Sequence, residues 1–103
     1  MEFIESPLFF KAAKELLDDE QLRDLQKALA AHPGKGKIIP GSGGLRKIRW
    51  HSNGKGKRGG LRVIYYWIMP DHQIYLLYVY KKTEQEELTP EQLKMLRRLM
   101  EET

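Results

Sequence analysis

The chain contains no cysteine. That absence excludes a disulfide framework, thiolate metal sites and cysteine nucleophiles together, and it suits a reducing cytoplasm. Long apolar runs are missing too, with nothing near the ~18–20 residues that a membrane span needs. The opening residues MEFIESPLFF hold two glutamates and no basic cluster ahead of an apolar stretch, which is not the make-up of a signal peptide. A cytoplasmic protein without membrane contact is therefore expected. The third absence is local. From Leu25 to Pro70 there is no Asp or Glu, yet ten Lys and Arg fall there. That segment carries +10 in a chain of net charge +4, so the remainder sums to −6. Such segregation inside one domain is the footprint of a polyanion partner, nucleic acid or ribosome, rather than of an ordinary solvated face.

What is present fits one domain over residues 1–103. A chain of 103 residues has room for a single core. Hydrophobic residues at 41% and charged residues at 31% suit a compact globular protein rather than a disordered tail. Ser6-Pro7 reads as a helix start, because Ser caps well and Pro fits the first helical position. Apolar residues then recur at helical spacing through Leu8, Phe9, Ala12, Ala13, Leu16 and Leu17. Asp18 and Asp19 offer a second cap, Leu22, Leu25 and Leu29 the next apolar stripe, and His32-Pro33-Gly34 the stop. Two helices so joined make an αα-hairpin.

All nine glycines lie between Gly34 and Gly60. Gly34 to Gly44 reads as a loop, and Leu45 to His51 as a half-buried strand. In that strand Ile48 and Trp50 share one face, and Lys47, Arg49 and His51 share the other. Ser52 to Gly60 is a second glycine-rich loop, carrying Lys55, Lys57 and Arg58. LRVIYYWIM, from Leu61 to Met69, is rich in β-branched and aromatic residues and reads as a strand. Pro70-Asp71-His72 is a turn, and Gln73 to Lys81 is apolar on both faces, as a central strand is. Short connections make these three an antiparallel meander. Phe3 and Ile4 suggest a further edge strand. Thr89-Pro90-Glu91-Gln92 is a third helix start with a capping box, followed by a stripe of Leu93, Leu96 and Met100. The expected fold class is α+β: a small antiparallel sheet with an N-terminal helical hairpin and a C-terminal helix.

Chemistry has few places to sit. His32, His51 and His72 fall apart from one another, and none pairs with an acid at ligand spacing, so no metal site is expected. The glycine runs do not lead from a strand into a helix, which argues against a dinucleotide or phosphate-loop motif. What remains is the basic strand face. Lys47 and Arg49, two residues apart, point to one side of the sheet. Arg62 opens the adjoining strand and should lie near Arg49 and His51 across the ladder. Lys81 and Lys82 end the third strand, so cations from three strands are expected to converge. Lys47, Arg49 and Arg62 together suit phosphate contact. Lys81 alone suits an edge-blunting charge. The crowd of tyrosines with Trp50 and Trp67 suits the core.

The blocks GSGGLRKIRW, GKGKRGGLRVIYYW and IYLLYVYKKTEQEELTPEQ resemble the HigB-type branch of the RelE/ParE toxin superfamily, the toxins of bacterial type II toxin–antitoxin modules. The likeness runs from the helical hairpin to the last helix start. It implies ribosome-dependent mRNA cleavage in the vacant A site of the 70S ribosome, with the RNA's own 2′-hydroxyl as nucleophile and no cofactor. It also implies a cognate antitoxin, a helix-turn-helix protein of the HigA type. By position Lys47 and Arg49 match the family's basic strand pair, Arg62 its basic residue ahead of the Val-Ile-Tyr-Tyr strand, and Lys82 the lysine after the third strand, with Arg62 the expected phosphate clamp. Arg62, Lys82 and His51 are thus the catalytic candidates, with the latter two for proton transfer. Lys47, Arg49, Lys55, Lys57 and Arg58 are the RNA-binding candidates. Where many relatives carry Arg and Tyr after the third strand, this chain has Thr83 and Leu88-Thr89. The other readings are a ParE-like, non-enzymatic inhibitor of DNA gyrase, and an RNA- or ribosome-binding module without catalysis.

Overall fold

Three helices begin at the caps that the sequence supplies. The computed structural model describes residues 1–51, 60–69 and 72–102. Helix α1 spans Pro7–Leu16, α2 spans Asp19–Ala31 and α3 spans Pro90–Glu101. Asp18 and Thr89 cap α2 and α3 through complete capping boxes, with Gln21 and Gln92 answering from the third helical position. Ser6 does more. Its buried hydroxyl accepts from the Phe9 N–H at 3.0 Å and donates to the Leu77 carbonyl at 2.7 Å. One side chain thereby starts α1 and fastens it to a strand distant in sequence.

Five strands form one sheet: β1 (Glu2–Glu5), β2 (Lys37–Ile38), β3 (Arg46–Trp50), β4 (Leu61–Ile68) and β5 (Gln73–Lys81). Their order is β1-β5-β4-β3-β2. The meander β3-β4-β5 is antiparallel as expected. β1 is the expected edge strand, and it runs parallel to β5, with Phe3 beside Ile74 and Ile4 beside Tyr75. The segment read as a loop from Gly34 to Gly44 contains β2, which pairs Lys37 with Lys47. Its two residues are too short to show a period, so only the partner strand reveals them. β5 carries a bulge. Ile64 faces Tyr78 while Tyr65 faces Leu76, leaving Leu77 as the extra residue. The Leu77 carbonyl that takes the Ser6 hydroxyl sits at this irregularity.

Each face of the sheet has its own core. On one face α1 and α2 bring Phe9, Ala13, Leu25 and Leu29 against Ile48, Val63, Tyr65, Leu76 and Val79. On the other α3 brings Leu96, with Leu93 and Met100 packed beside it, against Leu45, Ile64, Leu77 and Tyr80. Trp50 and Trp67 pack against the first core, as their strand faces require. Among the described residues, no helix is long and apolar enough to cross a membrane.

Candidate functional site

Strand register decides which cations meet. In the β3–β4 ladder Arg49 lies directly opposite Arg62, and Lys47 opposite Ile64. On its other side Lys47 pairs with Lys37 of β2. Alternation puts Lys37, Lys47, Arg49 and Arg62 on the sheet face that α3 shares. They line an open cleft of about 500 Å³ together with Lys35, and Glu86 and Glu87 enter it from the β5–α3 connection.

The rim that carries Lys35 and Lys37 is held from beneath. The Tyr65 hydroxyl donates to the Pro33 carbonyl and accepts from the Gly36 N–H, both at 2.8 Å. Arg46 Nη1 donates to the Gly34 and Gly36 carbonyls at 3.2 and 2.8 Å, and its guanidinium lies over the Trp67 ring. Burial pushes the Tyr65 phenol above its ordinary pKa, with the Gly36 N–H and the Arg46 charge working the other way. Position 36 must be glycine for this contact, because a Cβ there would lie 2.9 Å from the Tyr65 ring and hydroxyl and 3.0 Å from the Lys47 carbonyl.

Arg62, expected at the opening of its strand, is buried there, at 3% exposure. It stands second in the eight-residue β4. The fold then sets Tyr80 across from it and the Glu86–Glu87 connection beside it. Its Nη2 pairs with Glu86 at 3.3 Å, while Lys47 Nζ pairs with Glu87 at 3.0 Å. The Tyr80 hydroxyl donates to the Glu86 carbonyl at 3.2 Å, anchoring that connection. Burial, with the Glu87 charge adding to it, pushes the Tyr80 phenol up to about 12, against a smaller opposing pull from Arg62. Tyr80 therefore works as a neutral hydrogen-bond donor.

The remaining candidates gather elsewhere. His51 lies just past β3 and is exposed, its ring against Gly60, where an added Cβ would lie 3.0 Å from the imidazole Cε1. Lys82 is also exposed, in the turn after β5, and its N–H donates to the Gly60 carbonyl at 3.3 Å. These two meet at the Gly60 corner, two residues along the chain from Arg62, and neither lines the cleft. Convergence from the third strand fails for Lys81 as well. It faces Leu61, so it points to the helical-hairpin side of the sheet. Lys55, Lys57 and Arg58 lie outside the described residues. The readings that selected site residues from the sequence passed over Lys35, Lys37, Glu86 and Glu87. A signal for the lysines was present, since both belong to the acid-free segment.

This arrangement can hold a chain of phosphates. Two arginines and three lysines line one open groove with Ile48, Glu86 and Glu87, so cations outnumber acids there. A protein-family model described as the RelE toxin of the RelE/RelB toxin–antitoxin system matches residues 4–103. Among solved structures, the chain is similar to the free state of an E. coli RelE toxin carrying two Arg→Ala substitutions. The identity is 21% and the TM-score 0.54, over 82% of this chain and 86% of that one. That likeness bears on the fold, and the α+β layering described above agrees with it.

Proposed function

This chain belongs to the RelE toxin family, and from that premise we propose that it is a ribosome-dependent endoribonuclease that cuts mRNA in the A site. The HigB branch, a helix-turn-helix antitoxin of the HigA type and a cytoplasmic location belong to the same proposal. One observation carries it. Arg49 and Arg62 stand in register in a cleft of cations. Like charges directly opposite one another are unfavourable in a sheet unless an anion lies between them. A transferring phosphate is such an anion.

The step needs no oxidant or co-reactant. The 2′-oxygen attacks the adjacent phosphorus, a base takes its proton, the P–O2′ bond forms and the P–O5′ bond breaks. An acid then protonates the departing 5′-oxygen. The products are a 2′,3′-cyclic phosphate and a 5′-hydroxyl. Arg62 and Arg49 stabilise the extra charge on the phosphorane, where fixed donors act most strongly. Lys47, with Lys35 and Lys37 on the rim, holds the neighbouring backbone. Burial of Arg62 beside Tyr80 fixes its fork of donors before substrate arrives, which a flexible surface cation would not do. His51 and Lys82, at the Gly60 corner, are the proposed proton carriers.

Controlled induction in a bacterial host tests this reading. Growth should stop, and ribosome-associated mRNA should acquire new 5′-hydroxyl ends. The gene product encoded beside this chain should restore growth. Growth arrest with intact mRNA and trapped gyrase–DNA breaks would replace the proposal with gyrase inhibition.

A further inference from the structure

The cleft that should receive RNA already holds anions. Glu87 meets Lys47 at 3.0 Å and Glu86 meets Arg62 at 3.3 Å. Both carboxylates come from adjacent residues on one connection. Both reach cations that the ladder sets on one face, Lys47 opposite Ile64 and Arg62 opposite Arg49. The connection is pinned where it enters, by the Tyr80 hydroxyl on the Glu86 carbonyl. Gln85 tethers it again, donating to the Glu87 carbonyl at 2.9 Å and to Gln92 Oε1 of α3 at 2.8 Å. The glutamate side chains are themselves largely open to water, at 56% and 73% exposure. The Glu87–Lys47 pair is the more readily displaced, because an exposed ion pair is worth little and salt screens it. The cations differ. Arg62 is buried and needs a counter-charge at all times, since an unpaired buried charge is costly.

We infer that Glu86 and Glu87 are internal stand-ins for two consecutive phosphates, and that an RNA strand enters the cleft by displacing both. This rests on the reading of the cleft as an RNA site, and it adds a selectivity to that site. A ligand with one phosphate recovers one pair and leaves the other carboxylate facing it. A strand with neighbouring phosphates replaces both pairs at once and relieves the Arg49–Arg62 opposition. Each displacement subtracts from RNA affinity, so loose RNA is held weakly. RNA already positioned at high local concentration, as on a ribosome, is held well.

Binding of a fluorescent, 2′-O-methylated oligouridine tests this, because that probe lacks the nucleophile and stays intact. Glu86→Gln with Glu87→Gln keeps an acceptor oxygen at each position and removes both charges. The double variant should bind about tenfold tighter than the parent at low salt, and the gain should shrink as salt rises. Glu15→Gln with Glu20→Gln makes the same change in net charge on α1 and α2, and it should shift affinity less than about twofold. A thermal melt checks folding. If the loss of Glu86 unfolds the protein by exposing the Arg62 charge, Glu87→Gln alone should still tighten binding by about threefold. Parental affinity, or weaker, in a folded Glu86/Glu87 variant overturns the inference and leaves the RNA reading intact. An equal gain in the Glu15/Glu20 variant overturns it too, by reducing the effect to net charge. If parent and variants all fail to bind at low salt, the RNA reading falls and takes the inference with it.

Discussion

Arg49 and Arg62 face each other across the β3–β4 ladder, one exposed and the other buried. A sheet does not gain stability from that pairing. Two acids answer it from outside the basic segment, Glu86 on Arg62 and Glu87 on the neighbouring Lys47. The opposition makes sense as a device for binding an anion, and it yields a graded set of expectations for salt, for the buried anchors and for the reaction.

Affinity for RNA should fall steeply with salt. Each phosphate neutralised in a single strand contributes a slope of about −0.7 in log affinity against log salt. Lys47, Arg49 and Arg62 acting together give a slope near −2 on that basis. Arg49→Ala changes an exposed side chain, so the fold should be unaffected within about 0.5 kcal/mol while the slope becomes shallower by about 0.7. A fluorescence titration at several salt concentrations measures this. A parental slope near zero would remove the cleft from the account.

Ser6→Ala should destabilise the protein by about 2–3 kcal/mol. The substitution removes the α1 cap and leaves the Leu77 carbonyl at the bulge without its hydroxyl partner, in a place where Ser6 is fully buried. For a domain of this size the melting temperature should drop by about 8 °C or more. Calorimetry decides it, and a loss under about 0.5 kcal/mol would show that the two bonds are dispensable.

Alkaline pH should weaken the fold through Tyr80. Its phenol, raised to about 12 in the folded state, holds a proton that an unfolded chain releases near pH 10. The stabilising difference is therefore complete below about pH 10 and is lost as pH rises toward 12. Tyr80→Phe should flatten that alkaline loss. It should also cost about 1 kcal/mol at neutral pH by deleting the bond to the Glu86 carbonyl. Urea titrations of both proteins at neutral and alkaline pH give the comparison. Parallel pH profiles would contradict the role given to this phenol.

Legibility in the sequence tracked locality. The caps at Ser6, Asp18 and Thr89 act within three residues, so the helix starts could be read directly. The Arg49–Arg62 proximity followed from a two-strand ladder and its alternation. Other features depend on partners far along the chain. β2 exists because Lys37 pairs with Lys47, and the parallel course of β1 depends on β5, which comes much later in the chain. Leu77 bulges within a strand that is apolar on both faces, a pattern that hides the extra residue. Counting charges by segment placed Glu86 and Glu87 on the acidic side of the balance, and the fold brings them into the basic cleft. Nothing local to Arg62, at the start of its strand, shows that it is buried. Tyr80 and the connection after β5 enclose it.

Single-turnover cleavage of ribosome-bound mRNA, with the ends of the fragments identified, tests the central claim most directly. The parent should leave a 2′,3′-cyclic phosphate and a 5′-hydroxyl. Arg62→Ala should slow the step by about 10²–10³, the scale for losing one fixed donor to a developing charge. Arg62→Lys should regain part of that rate, since it restores charge without the fork. Circular dichroism confirms folding. If burial makes Arg62→Ala unfold, the exposed Arg49→Ala variant keeps the test open, with a loss of about tenfold or more expected. Cleavage at the parental rate by folded Arg62→Ala and Arg49→Ala proteins, or no cleavage by the parent on programmed ribosomes, would contradict the account.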